Sequence, residues 1–127
     1  MSSNMRILVV DDEKDIQTLF EQKFRKEISN NMVEFAFAFS GHEALEYLEK
    51  ESNVNLILSD INMPGMSGIE LLKQVKHKFP ESAPEVFMIT AYSDSENSKV
   101  ASSLGAQAMF SKPIDFSLLK QKLNNLV

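Results

Sequence analysis

Short apolar runs alternate with amphipathic segments along the whole chain. The runs are Arg6-Ile7-Leu8-Val9-Val10, Val33-Glu34-Phe35-Ala36-Phe37-Ala38, Val54-Asn55-Leu56-Ile57-Leu58, Val86-Phe87-Met88-Ile89 and Ala106-Gln107-Ala108-Met109-Phe110. Their shortness and their β-branched and aromatic content suit strands. The first, third and fourth are nearly continuous in apolar character, as parallel strands covered on both faces are.

Between the runs, apolar positions recur every three or four residues, the spacing of a helix face. Ile16, Leu19, Phe20, Phe24 and Ile28 form one stripe over 13–28. Ala44, Leu45 and Leu48 form a second, and Ile69, Leu71, Leu72 and Val75 a third. Leu118, Leu119, Leu123 and Leu126 form the last. The fourth segment, 94–104, is weak, with Val100, Ala101 and Leu104 set among Ser and Asn. Three helices open on Ser-x-x-Glu, at Ser40…Glu43, Ser67…Glu70 and Ser93…Glu96. In that box the Ser oxygen accepts an N3 amide while the Glu reaches back to the cap. Gly105 is placed to end the fourth helix.

Five strands of ~6 residues, five helices of ~12 and nine connections of ~4 use ~126 residues. The chain has 127, so one domain is expected to fill it. A repeated strand–helix order predicts an α/β fold: a doubly wound, five-stranded parallel sheet with right-handed crossovers and helices on both faces. Ligands of such sheets bind outside the carboxyl ends of the strands, near the point where strand order reverses.

Composition narrows the functional class. The absence of Cys excludes disulfides, thiol catalysis and zinc-thiolate sites. Two histidines, His42 and His77, are too few for a multi-histidine metal centre. A net charge of −5 argues against a nucleic-acid or membrane-surface partner. The N-terminal MSSNMR lacks a signal peptide's apolar core, and no apolar run approaches the ~20 residues of a membrane span. A cytoplasmic domain is expected. Dinucleotide and P-loop glycine motifs are absent.

The strand ends carry the candidate chemistry. The first strand ends in Asp11-Asp12, followed by Glu13, and the third ends in Ser59-Asp60 and runs into Ile61-Asn62-Met63-Pro64-Gly65. The fourth ends in Thr90-Ala91 and the fifth in Ser111-Lys112-Pro113. Any one of these has a plain structural reading; Asp12, for example, stands where a helix cap would. Together they bring three carboxylates, a hydroxyl and an ammonium to one edge. Two carboxylates ~4 Å apart repel by ~4 kcal/mol at an effective dielectric of ~20, so the cluster calls for a proton or a cation. Oxygen ligands without His or Cys favour a hard ion such as Mg²⁺, which keeps waters and accepts phosphate oxygens. Lys and Thr complement the remaining oxygens of a phosphoryl group.

These residues resemble the receiver domain of two-component response regulators. The resemblance covers essentially the whole chain, 1–127, and rests on Ile7–Glu13, Asp60–Gly68, Thr90-Ala91 and Lys112-Pro113. It implies a flavodoxin-like (βα)5 fold like that of the chemotaxis regulators, with strand order 2-1-3-4-5. It further implies that Asp60 accepts a phosphoryl group from a histidine kinase phosphohistidine. Asp12, Asp60 and the backbone carbonyl of Asn62 would ligate Mg²⁺, or Mn²⁺ in its place, with Asp11 acting through water. Lys112 would neutralise phosphate charge, Thr90 would bond the acyl phosphate, and the Lys112-Pro113 bond would be cis. Gly65 and Gly68 fit a turn needing permissive torsions. Asn62 and Tyr92 occupy positions that set the lifetime of the acyl phosphate in relatives.

One position departs from the family. Relatives carry Tyr or Phe three residues before the Lys, and here that residue is Met109. Phe110 is adjacent, but strand alternation sends it to the other face. Switching is therefore expected to rely on Thr90, the loop after it and the fourth helix, with Met109 repacking modestly. The family's switch surface comprises the fourth helix, fifth strand and fifth helix. Expected partners are a sensor histidine kinase or phosphotransfer protein and a downstream protein or separate output domain, with homodimerisation on phosphorylation as a further option. The rival readings are an aspartyl-phosphate phosphatase and a degenerate receiver serving as a scaffold. The first needs an Asp-x-Asp nucleophile and a cap, and Asp11-Asp12-Glu13-Lys14 lacks that spacing. For the second, Met109 is the supporting departure.

Overall fold

Apolar strands in a parallel sheet must be covered on both faces, and the two side-chain registers of each strand feed the two layers. The computed structural model describes residues 4–91 and 95–125. Its strands are β1 (Met5–Val10), β2 (Val33–Ala38), β3 (Leu56–Asp60), β4 (Glu85–Thr90) and β5 (Ala108–Ser111). They form one parallel sheet in the order β2-β1-β3-β4-β5. The helices are α1 (Asp15–Lys23), α2 (Arg25–Ser29), α3 (Gly41–Lys50), α4 (Gly68–Lys78), α5 (Ser95–Ser103) and α6 (Phe116–Asn124). The doubly wound α/β fold is as expected, with one helix more.

Leu8, Val10, Ile57, Val86 and Met88 point to one layer, where they meet Leu48 of α3, Leu71, Leu72 and Val75 of α4, and Ala101 of α5. Ile7, Val9, Leu56, Leu58, Phe87, Ile89 and Phe110 point to the other, against Phe20, Phe24, Leu119 and Leu123. That second layer is aromatic. The Phe20 ring stacks on Phe24 at 5.9 Å and meets Phe35 and Phe116 edge-on at 5.6 and 5.2 Å.

The extra helix is a correction to the single stripe over 13–28. The backbone leaves helical geometry at Phe24, with φ −109° and ψ 22°, so the segment divides into α1 and α2. Phe24 is fully buried, its ring 5.0 Å from Phe35 and 6.1 Å from Phe116. Packing of that ring outweighs the local periodicity. The fourth and fifth helices of the sequence pattern are accordingly α5 and α6.

Two strands also begin later than their apolar runs. Asn55 precedes β3 and Gln107 precedes β5, and their side-chain oxygens accept the N–H groups of Arg6 (2.8 Å) and Val86 (2.9 Å). These polar interruptions therefore finish the ladders at the amino edge. At the carboxyl edge β3 ends on Ser59 and Asp60, as expected from the sequence. Ser40 and Ser67 cap α3 and α4 by accepting from Glu43 and Glu70 amides at 3.1 and 3.2 Å. Glu43 returns to the Phe39 amide, one residue before the cap. The Ser93 cap, Tyr92 and Leu126 lie outside the described residues. Gly105 ends α5 at φ 101°, and the Ala106 amide bonds back to the Ala101 carbonyl. No helix among the described residues is long and apolar enough to cross a membrane.

The aromatic layer gives a direct test of packing. Phe20→Ala, at a position with 0% exposure, is expected to lower unfolding free energy by about 3–5 kcal/mol. Leu19→Ala, its exposed neighbour, is expected to stay within about 1 kcal/mol. Urea denaturation of both variants measures the contrast, and equal losses would contradict this account of the layer.

Candidate functional site

Parallel strands share a direction, so every strand delivers its last residue to one edge. β1 delivers Asp11, buried, and Asp12, exposed. The Asp11 amide bonds to the Ala38 carbonyl at 3.1 Å, and Asp11 Oδ1 accepts from the Glu13 amide at 2.9 Å. α1 starts after Lys14 without a side-chain cap, so Asp12 is not spent as a helix cap. β3 delivers Asp60, buried, whose Oδ1 accepts from the Asn62 amide at 3.2 Å. β4 delivers Thr90, buried, and β5 leads through Ser111 to Lys112. The Lys112 amide bonds to the Thr90 carbonyl at 2.9 Å, and the Lys112-Pro113 bond is cis.

Lys112 Nζ lies 3.0 Å from Asp60 Oδ2 and 3.3 Å from Asp11 Oδ2. Oxygens of Asp11, Asp12 and Asp60 all fall within 4.8 Å of one another, the one such acidic cluster among the described residues. Burial pushes the Asp60 carboxyl above its ordinary range; the Lys112 bond and charge oppose this, and the Asp11 charge adds to it. Burial also works against the Lys112 ammonium. The Asp60 hydrogen bond and the two carboxylate charges outweigh that burial and raise its pKa. One ammonium thus faces three carboxylates. An all-oxygen donor set that remains short of positive charge fits a hard divalent cation.

The loop after Asp60 is shaped by two glycines for different reasons. Gly65 has φ 77°, the left-handed conformation expected of it. Gly68 has no such torsion, which corrects the expectation of permissive geometry there. Its need is space, because an added Cβ would run into the carbonyl oxygen of Asp60. Asn62 is exposed at the site's rim. Met109 is half-buried beside the α3–α5 layer, opposite Met88 on β4, while Phe110 packs in the other layer. His42 and His77 are exposed and outside the acidic cluster.

Sequence reading gave no role to Ser59, which is fully buried beside Asp60. The available signal was a hydroxyl inside an otherwise apolar strand. At the opposite edge, Arg6 gathers Glu34, Glu51 and Asn53 at 2.6, 3.0 and 2.8 Å. That cluster ties β1 to β2 and to the approach to β3.

Comparison with known proteins bears on this edge. The sequence model of the response regulator receiver domain matches residues 7–124. The chain is 34% identical over 117 residues to sporulation initiation phosphotransferase F of Bacillus subtilis, covering 92% of this chain and 89% of that protein. It is 36% identical over 121 residues to a cyclic di-GMP phosphodiesterase of Thermotoga maritima, covering 95% of this chain. The matched region spans only 30% of that phosphodiesterase. Among solved structures, a CheY-like receiver domain protein of Methanospirillum hungatei superposes with a TM-score of 0.83 at 33% identity, covering 97% of this chain and 93% of that one. The match runs from β1 into α6 and takes in all four strand ends that build the acidic edge, and on it the chain belongs to the response regulator receiver domain family.

Proposed function

We propose that this chain is a phosphoacceptor in a phosphorelay, taking a phosphoryl group on Asp60 from a phosphohistidine of a sensor histidine kinase or phosphotransfer protein. The observation that carries the reading is the Lys112 ammonium held between buried Asp60 and buried Asp11. The likeness to a phosphotransferase supports the partner class. The role is regulatory, acting on the chain's own Asp60 and not on a released substrate.

Asp11, Asp12 and Asp60, with the backbone carbonyl of Asn62, would hold Mg²⁺. When bound, the ion supplies positive charge to the phosphoryl oxygens and to the crowded carboxylates. The Asp60 carboxylate attacks phosphorus. A P–O bond forms as the P–N bond breaks, and the donor imidazole leaves with its electron pair. Lys112 stays an ammonium throughout and balances the charge arriving on the phosphoryl oxygens. Thr90, at the end of the adjacent strand, offers its hydroxyl to the acyl phosphate. The product shifts a two-state equilibrium read on the α5, β5 and α6 surface. α5 suits that role, because Ala101 is its buried apolar anchor. Met109 repacks beside it, and Asn62 and Tyr92 set how long the acyl phosphate survives.

Incubation with acetyl phosphate and Mg²⁺ is expected to give one phosphoryl adduct on the intact protein, detected by mass spectrometry. Asp60→Ala is expected to give none. A wild type that takes no phosphoryl group from acetyl phosphate or any phosphohistidine donor overturns the reading in favour of a scaffold.

A stability measurement tests the electrostatics independently. The folded-state pKa of Asp60 lies above its unfolded value. The folded state therefore holds that proton more tightly, and stability falls as pH rises from the unfolded pKa through the folded one. At neutral pH the ionised group is destabilising, and Asp60→Asn is expected to raise Tm in metal-free buffer. Mg²⁺ is expected to raise the Tm of wild type and to do little for Asp60→Asn. A Tm lowered by Asp60→Asn, read by calorimetry, would contradict the assignment.

A further inference from the structure

Four polar side chains are buried among the described residues: Asp11, Ser59, Asp60 and Thr90. Three belong to the chemistry proposed above, and Ser59, at 0% exposure, does not. Its register partners are Val10 and Met88, so it sits in an apolar layer where a hydroxyl costs free energy unless it is bonded. Its bond is to the residue that matters most. Ser59 Oγ donates to the Asp60 backbone carbonyl at 3.0 Å.

That carbonyl lies beyond the end of a ladder. Pairing between β1 and β3 stops at Val10 and Ser59, whereas pairing with β4 continues to Asp60 and Ile89. The Ile61 amide bonds to the Ile89 carbonyl at 2.8 Å. In a trans peptide the carbonyl points opposite to the following N–H, so the Asp60 carbonyl faces the β1 side, where the ladder has ended. The Ser59 hydroxyl supplies a donor there. The peptide plane joining Asp60 to Ile61 is then held at both ends, by Ser59 on its oxygen and by Ile89 on its nitrogen. Gly68 presses against the same oxygen and donates its own amide to the Ile61 carbonyl at 2.9 Å.

We propose that Ser59 is a positioning residue, whose hydroxyl fixes the Asp60–Ile61 peptide plane and thereby aims the Asp60 carboxylate and the Asn62 carbonyl. The inference rests on the phosphoacceptor reading of Asp60. Rotation of this plane changes ψ of Asp60 and φ of Ile61. It would turn the carboxylate away from Lys112 and carry the Asn62 backbone with it. Ser59 touches neither donor nor product, so its influence runs through geometry alone. Groups that orient ligands in this way change metal affinity and rate by about 10–100-fold when removed.

The test compares Ser59→Ala and Ser59→Thr with wild type. Ala removes the hydroxyl and leaves a small gap; Thr keeps the hydroxyl, and flexible Met88 beside it can yield to the added methyl. Mg²⁺ affinity of the metal-free proteins is measured by titration calorimetry, and phosphorylation by acetyl phosphate is followed separately. Ser59→Ala is expected to weaken Mg²⁺ binding and slow phosphorylation by about tenfold each, with Ser59→Thr recovering most of both. Unchanged affinity and rate in Ser59→Ala, even with a lower urea midpoint, would leave only a packing role and overturn the proposal. So would a Thr variant that folds yet behaves like Ala. If wild type itself accepts no phosphoryl group, the phosphoacceptor reading fails, and the Mg²⁺ titration still decides the role of Ser59.

Discussion

Lys112 Nζ stands 3.0 Å from Asp60 and 3.3 Å from Asp11, and without it two buried carboxylates would face each other with no countercharge. Much of the carboxyl edge exists to make that ammonium arrive. β5 must lie beside β4, so that the Lys112 amide can bond to the Thr90 carbonyl. β1 and β3 must be neighbours at the centre of the sheet, so that Asp11 and Asp60 emerge side by side. One cation does not balance three acids, however. The edge is left electrostatically underfilled, and that deficit is what suits it to the divalent ion and phosphoryl group proposed above. A fully neutralised edge would be more stable and chemically inert.

The sheet and its two layers were legible in the sequence because apolar periodicity records burial directly. The meeting of the site residues was legible too, since parallel connectivity sends Asp11, Asp12, Asp60, Thr90 and Lys112 to one edge wherever the exact strand bounds fall. What escaped was set by tertiary contact. Nothing local to 13–28 announces a break at Phe24; the break follows from a ring lodged between Phe35 and Phe116, which come from distant parts of the chain. Gly68 was read as a torsional glycine. Only the approach of Asp60's carbonyl reveals that it is there for space.

The two layers also differ in how firmly they are held, and the difference bears on where a change at the edge can be felt. On the α1 and α6 side, Phe20, Phe24, Phe35, Phe37 and Phe116 form a connected set of ring contacts between 5.0 and 6.4 Å. Interlocking rings of this kind have few alternative arrangements. On the α5 side, the neighbours of Thr90 are softer. Met88 and Met109 face each other across β4 and β5, and α5 is anchored through small Ala101. Unbranched Met side chains exchange rotamers at little cost, and a helix with few buried apolar contacts moves at little cost. A displacement at the end of β4 therefore meets less resistance toward α5 than toward α1. Met109, partly buried against this layer, adds to its compliance. The same fold thus holds the α1 and α6 side of the sheet firmly while leaving the α5 side free to yield.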